Sequence, residues 1–433
     1  MTISIIGAGA AGCFCAAELR RRLPDARIDV FEAATKPLAK VAITGGGRCN
    51  LTNSFEDIRS ISEVYPRGDR LMKRLLREFS QKDTWSWFES AGVPLVLQDD
   101  HCVFPQSQDA MDIVRALLRR MDGVNLRLRT PVQSIRVSET PGQAGGDGIV
   151  MPGPTDSVMP GPTGHLLVDG EPYDAVVVTT GGAPKGLPML EGLGLEWVPT
   201  VPSLFTFTVQ DEELRSLMGL VVGASVSIPG TAFQAAGPLL ITDWGLSGPA
   251  VLKLSSYAAR HLHDAGYKAP LSINWLALNE NEVRALLQEM AGDNPRKQVT
   301  STPPARLQSR LWNHLVRKAG LRSDIRWAEL GSKGLNRLVA TLTQDPYTMA
   351  GKTKFREEFV TCGGVSLSNI DPSTLACRRY PGLYFAGEVL DVDAVTGGFN
   401  LQAAWTTGYV AARSIANSAV SIKTKDMPQL SAK

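Results

Sequence analysis

The sequence lacks most of the features that sort a protein quickly. No run of apolar residues approaches the roughly 18 needed to cross a bilayer. None of the six cysteines, at 13, 15, 49, 102, 362 and 377, forms a Cys-x-x-Cys pair. The five histidines add no zinc-ligand spacing, so no metal site is expected. Neither sign of charge dominates: 45 basic residues face 43 acidic ones, for a formal charge of +2. As a whole, that balance gives no footprint for nucleic acid or an anionic membrane. A strand and a glycine loop begin by Ile3, leaving no room for the regions of a secretory signal. These absences point to a cytoplasmic protein with reduced thiols, a small-molecule substrate and no membrane partner.

What is abundant is glycine, at 41 of 433 residues, and the glycines cluster. The length suggests about two or three domains. Ile3 to Ile6 reads as a strand ending at Gly7, followed by helical spacing through Cys15, Leu19 and Leu23, and by a second strand from Ile28 to Phe31. Further helices are expected at about 69–79, 81–91 and 109–121. Short strands are expected at Val103–Phe104, Val124–Leu128, Val132–Val137, His165–Val168 and Ala175–Thr179. After Gly194 the pattern turns to β, then to helices over 279–345. Strand and glycine patterns return from Phe359, and a last helix runs from Phe399 to about Ile415. Residues 150–163 hold a tandem Val-Met-Pro-Gly-Pro-Thr repeat. Proline and glycine at that density sustain neither helix nor ladder, so the repeat reads as an expanded hairpin tip.

Gly7-Ala-Gly9-Ala-Ala-Gly12 is a G-x-G-x-x-G motif placed after a strand and opening a helix. Gly7 permits the turn, Gly9 lets a pyrophosphate approach the backbone, and Gly12 lets helix and strand pack closely. The helix start, with Ala10 and Ala11, offers N–H groups and a positive dipole end. Glu32 ends the second strand, with Ala33 behind it, where a carboxylate accepts both ribose hydroxyls and disfavours a 2′-phosphate. These residues alone fit FAD and NAD equally. The distant segment Gly382 to Gln402 favours a flavin. There, Gly387-Glu388 offers a second acid at a strand end, suited to the ribitol chain. Gly397, Gly398, Phe399, Asn400, Leu401 and Gln402 open a helix whose N–H groups suit the pyrimidine carbonyl of a flavin. Gly45, Gly46 and Gly47 allow close approach to a flat ring. Arg48 suits a phosphate or a flavin anion, and Asn50 and Asn53 suit a flavin edge. Cys49 lacks the second cysteine of a disulfide reductase and reads as packing beside the ring.

With these residues in view, the chain resembles the NAD(P)/FAD-dependent oxidoreductases of the BaiN/YhiN type, also called the aminoacetone oxidase family of FAD-binding flavoproteins. The resemblance is carried by Gly7 to Gly12 with Glu32, by Lys40, and by Thr44-Gly-Gly-Gly-Arg-Cys-Asn-Leu-Thr-Asn53. Val103-Phe-Pro105, Thr180 with Gly181 and Gly182, Gly245 to Ala250, Thr361 with Gly363 to Val365, and Gly382 to Gln402 extend it along nearly the whole chain. It implies an α/β architecture: a glutathione-reductase-like Rossmann FAD-binding domain in two segments, 1–196 and 355–417. An inserted β-rich domain (197–275), an inserted helical domain (276–354) and a flexible tail (418–433) complete it. It also implies noncovalent FAD, with Lys40 and Thr180 to Gly182 at the cofactor and Val132 against the adenine. The expected activity is hydride transfer through flavin N5, with NAD(P)H as a transient donor.

No catalytic acid or base stands out. His101, His165 and Asp243 read as loop or surface residues. Arg306, Arg310, Arg317 and Lys318 read as a solvated helix face. Two rival readings stay open: an RNA-modifying or RNA-binding flavoprotein that uses this basic face, and a non-enzyme that senses through its flavin.

Overall fold

The computed structural model describes residues 1–138, 165–182, 187–352 and 360–425. The tandem repeat at 150–163 lies outside the described residues. The chain divides into two compact units, Met1–Thr200 with Thr361–Lys433, and Val201–Val360.

The first unit is built on a five-stranded parallel sheet. Its strands are, in spatial order, Leu383–Phe385, Ala175–Val178, Thr2–Ile6, Arg27–Phe31 and Asn125–Arg127. Such a sheet is covered on both faces, and its inner strand Ala175–Val178 is a continuous apolar run buried at every position. The helix Ala10–Arg22 returns the chain between the first two strands and packs along the terminal helix Phe399–Lys425. The two backbones meet closely at Gly408, where a Cβ would lie 2.8 Å from the Ala11 carbonyl oxygen. Phe14 anchors the interior between Phe79 and Trp405, with ring centres 5.4 and 5.5 Å away. Glu18 is buried in the same helix, held by Arg21, Arg22 and the Trp87 indole N–H.

Six antiparallel strands close the second unit into a barrel: Phe207–Val209, Gly245–Ser247, Gln234–Ile241, Val221–Ser227, Ala269–Asn274 and Asp345–Lys352. Period-two alternation buries Val222, Ala224 and Val226. Three helices follow the fifth strand in sequence: Glu280–Asp293, Ser309–Lys318 and Gly331–Thr343. The first is started by a reciprocal cap. The Asn279 side chain accepts the Glu282 N–H at 3.0 Å, and the Glu282 carboxylate accepts the Asn279 N–H at 2.7 Å.

Several expectations are corrected. The insert is not a β domain followed by a separate helical one. Leu311, Trp312, Leu315, Leu338 and Leu342 share one apolar core with Val226, Leu239 and Ile273, so barrel and helices form one unit. Asp345–Lys352, expected at the end of a helical region, is the strand that closes the barrel. The terminal helix continues to Lys425, so 418–425 is helical rather than a flexible tail. The expected strand from Val132 begins only at Ile135. Within the region expected to be β after Gly194, two helices form, Pro249–Tyr257 and Ala259–Asp264.

Candidate dinucleotide and flavin site

The glycine loop between the strand Thr2–Ile6 and the helix Ala10–Arg22 is held from three sides. The Gly7 N–H donates to the Phe31 carbonyl at 2.8 Å. The Thr179 hydroxyl donates to the carbonyls of Ile6 and Gly7 at 3.0 and 2.8 Å. A Cβ on Gly12 would lie 1.9 Å from the Gly7 carbonyl oxygen, so any side chain there would push the helix off the loop. A Cβ on Gly9 would meet nothing within 4 Å. The helical ladder begins with the Cys13 N–H donating to the Gly9 carbonyl at 3.0 Å. The N–H groups of Ala10, Ala11 and Gly12 therefore precede the ladder, as an anion site at a helix start requires.

Glu32 is tied to this loop. Its carboxylate accepts the Ala8 N–H at 2.9 Å and the Ala34 N–H at 2.8 Å. Ala33 between them is exposed. The returning chain reaches the same place: the Thr130 N–H donates to the Glu32 carbonyl at 2.8 Å, and the Arg129 N–H to the Ala34 carbonyl at 3.0 Å. Val132, two residues on and half-buried, follows that segment.

Loops distant in sequence converge beside the glycine loop. A Cβ on Gly387 would lie 2.8 Å from the Ala11 Cβ. The Glu388 carboxylate accepts the Thr361 N–H at 2.7 Å and lies 3.4 Å from the Lys40 ammonium. Cβ atoms on Gly181 and Gly182 would come within 3.6 and 2.9 Å of the same carboxylate. The Asn53 amide donates to the Gly397 carbonyl at 3.2 Å. A Cβ on Gly398 would lie 2.4 Å from the Thr52 carbonyl oxygen and 2.7 Å from the Asn50 side-chain oxygen.

Gly45, Gly46 and Gly47 have φ of +63°, +70° and +83°, a left-handed succession that other residues rarely adopt. Cβ atoms on Gly46 and Gly47 would meet nothing within 4 Å. Arg48 folds back on this turn, donating to the Gly45 carbonyl at 3.1 Å with its guanidinium over the Phe104 ring. Cys49 is fully buried, and burial pushes its thiol up to about 12, so it stays protonated at neutral pH. That places Cys49 with the packing residues.

Asn400 staples the approach to the last helix, accepting the Ala394 N–H and donating to the Ala394 carbonyl, each at 2.9 Å. The Phe399 carbonyl accepts the Tyr65 hydroxyl at 2.8 Å, and Leu401 is half-buried beside it. Gln402 departs from expectation. Its N–H donates to the Gly398 carbonyl at 3.0 Å, and its fully buried amide lies between the Thr52 and Thr406 hydroxyls at 2.6 and 2.9 Å. Gln402 thus locks the helix start to the loop before it. Thr179 and Thr361 hold the loop and Glu388 through contacts across the fold, which no local spacing signals.

The comparisons agree with this geometry. Residues 1–149 match a family model described as the HI0933-like protein Rossmann domain, and residues 201–360 match the HI0933-like protein barrel and H2TH domain. A ribosomal RNA dihydrouridine synthase of Escherichia coli is 30% identical over 95% of this chain and 97% of its own. A 3-dehydro-bile acid delta(4,6)-reductase of Clostridium scindens is 27% identical over 96% and 98%. The chain belongs to the HI0933-like family. It is an FAD-dependent oxidoreductase.

As an HI0933-like flavoprotein it has a site that fits its cofactor. The space beside Gly9, Gly46 and Gly47 is open. The Thr180 hydroxyl and the Asn50 side-chain oxygen are buried with no hydrogen-bond partner among the described residues, polar groups that want a ligand. Ala10 to Gly12 suit the pyrophosphate, Glu32 the adenosine ribose, and Glu388, with Lys40 beside it, the ribitol hydroxyls. The 45–53 loop and the start of the last helix suit the isoalloxazine ring. Bound there, FAD would supply the redox chemistry. Of the weaker candidates, His101 pairs with Asp57 at 2.8 Å on a surface loop, and Asp243 is exposed. No helix among the described residues is long and apolar enough to cross a membrane.

Proposed function

We propose that this protein saturates a carbon–carbon double bond conjugated to a carbonyl. The carbon β to the carbonyl receives hydride and the α-carbon receives a proton. The observation that carries this reading is that two similar proteins, aligned over 95% and 96% of this chain, are named for the same bond chemistry. A dihydrouridine synthase saturates the uracil double bond, and a delta(4,6)-reductase acts on a conjugated dienone. A cradle fitted to a hydride-carrying flavin supports both. FAD is held noncovalently in this reading, through the two carboxylates and the helix starts described above. NAD(P)H docks transiently as donor, because a second glycine fingerprint is missing from the sequence. The protein works in the cytoplasm.

One observation favours a uracil in RNA over a free enone. The near-neutral total charge conceals a segregation. Between residues 295 and 337 the chain carries ten lysines and arginines against two acids, Asp324 and Glu329. Nine of the ten are exposed; Lys318, paired with Asp345, is the exception. The small-molecule reading predicts that conjugated enones reoxidise the reduced protein. The RNA reading predicts that ribosomal RNA transcripts do so and gain 2 Da per modified uracil. Anaerobic reoxidation, read at the flavin band with mass spectrometry of the products, tests both. Failure of every conjugated carbonyl and of uracil-containing RNA would end the proposal.

A further inference from the structure

Outside the dinucleotide cradle, the first unit holds another concave surface. A cavity of about 490 Å³ opens beside the helix Asp69–Leu75. That is within the range of about 300–1,000 Å³ typical of small-molecule sites. Its wall carries four cations, Arg70, Lys73, Arg74 and Arg77, and its floor is apolar, with Leu71 and Ile370. No carboxylate lines it.

Arg70, Lys73 and Arg74 stand at i, i+3 and i+4 on one face of this helix, and Arg77 follows in the turn after its end. Every neighbouring pair among them is like-charged, and such pairs destabilise a free helix. The dipole at a helix end favours cations in the last turn, which accounts for Lys73 and Arg74. It does not account for Arg70, in the first turn, or for the concavity. Among the described residues, the side chains of Arg70, Lys73 and Arg77 have no hydrogen-bond or ion-pair partner, while Arg74 donates to the Ser373 hydroxyl at 2.6 Å. A row of unpaired cations around an apolar floor matches a ligand with clustered negative charge attached to a flat or apolar body.

We propose that this cavity binds a nucleotide, with phosphate on the Arg70–Arg77 face and the base and sugar on the apolar floor. Guanidinium groups suit this role because they fork onto phosphate and stack on rings. The nucleotide comes free or as one residue of an RNA strand. The site is independent of the bond reduction proposed above.

The test uses the flavin-loaded protein at low salt. A fluorescein-labelled ten-residue oligouridylate and the free nucleotides UMP and ADP are the probes, read by anisotropy and by competition. The double variant Arg70→Ala/Arg77→Ala should weaken binding at least tenfold and leave the flavin spectrum unchanged. For the strand, it should lower the log–log salt slope by about 1.4, since each lost phosphate contact accounts for about 0.7. Arg70→Lys/Arg77→Lys should retain most of the binding. In the parent protein, the bound probe should shield Lys73 from acetylation and leave exposed Lys36 reactive. Competition by UMP or ADP at strand-like concentration identifies a free nucleotide; binding of the strand alone identifies RNA. Either supports the site. Absence of binding by all three probes, or binding unchanged in the double alanine variant with Lys73 unshielded, would overturn it.

Discussion

Replacing Glu32 with alanine separates the loop contacts this carboxylate makes from the ribose contact proposed for it. In the structure it accepts the N–H groups of Ala8 and Ala34 at 2.9 and 2.8 Å, so it orders the glycine loop before any ribose arrives. A hydrogen bond to a charged group contributes about 1.5–3 kcal/mol, and Glu32 is half-buried, which places it toward the lower end. Losing the ribose contact together with part of the loop order should weaken FAD by about 1.5–3 kcal/mol. That is roughly 10- to 100-fold in Kd, at 1.4 kcal/mol per decade. FMN, which lacks the adenosine half, should lose only the loop contribution. Apoprotein titrated with each flavin, followed by fluorescence quenching, gives both constants. Glu32→Gln should fall between parent and alanine, because one end of an amide would turn an N–H toward Ala8 or Ala34. FAD affinity within twofold of the parent would refute the role of Glu32. Equal weakening of FAD and FMN would confine it to ordering the loop.

Other expectations follow from the same contacts. Lys318→Met should destabilise the protein by about 3 kcal/mol in urea, because it strands the fully buried Asp345 carboxylate now 2.6 Å from the Lys318 ammonium; Lys318→Met/Asp345→Asn should recover part of the loss. Burial, and then the charge of Lys318, hold His314 below its ordinary value, so its contribution to stability is present above about pH 6.5 and lost as the pH falls. His314→Leu should flatten the decline of Tm between pH 7 and 5, and an unchanged decline would show that other groups control it. All six cysteines are buried and none is in a disulfide, so a thiol reagent at pH 8 should react with the native protein much more slowly than with the unfolded chain. Gly12→Ala should lower Tm and FAD content together, whereas Gly9→Ala should lower FAD content while leaving the apoprotein Tm within about 1 °C; matching Tm losses would refute the distinction.

The parts of this site that were legible in the sequence are those whose function depends on local chain geometry. A strand, three spaced glycines, a helix and an acid at the end of the next strand are consecutive in the chain, so Gly7 to Glu32 announce themselves. Contacts made at long range do not. The Thr361 N–H reaches Glu388 only because the strand Val360–Val365 passes the end of another strand, and the Gln402 amide is claimed by Thr52, 350 residues earlier in the chain. The barrel was half-hidden for a different reason. Gly245–Ser247 is three residues long, and Asp345–Lys352 holds Pro346 and Gly351, so neither shows the β-branched alternation that marks a strand. Of the charge segregation over 295–337, the sequence showed only the part at Arg306, Arg310, Arg317 and Lys318, because a total near zero averages the rest against an acidic remainder.

The glycines carry the argument about what the site is for. A Cβ on Gly7, Gly12, Gly182 or Gly398 would strike protein atoms at 2.6 Å or less; Gly7, Gly12 and Gly398 let backbone segments meet and Gly182 makes room for the Thr361 side chain, so their absence of side chain is answered within the fold. Gly9 differs. Its φ of −83° is open to any residue, and nothing stands within 4 Å of its would-be Cβ, so neither strain nor packing explains it. Gly46 and Gly47 combine left-handed φ with the same open surroundings. A larger residue at Gly9 would cover surface and lower the entropy of the unfolded chain. Open space beside Gly9, Gly46 and Gly47, together with a buried Thr180 hydroxyl and Asn50 oxygen without partners among the described residues, fits a flat, anionic molecule held there. The fold closes itself with one set of glycines and leaves room for its cofactor with the other.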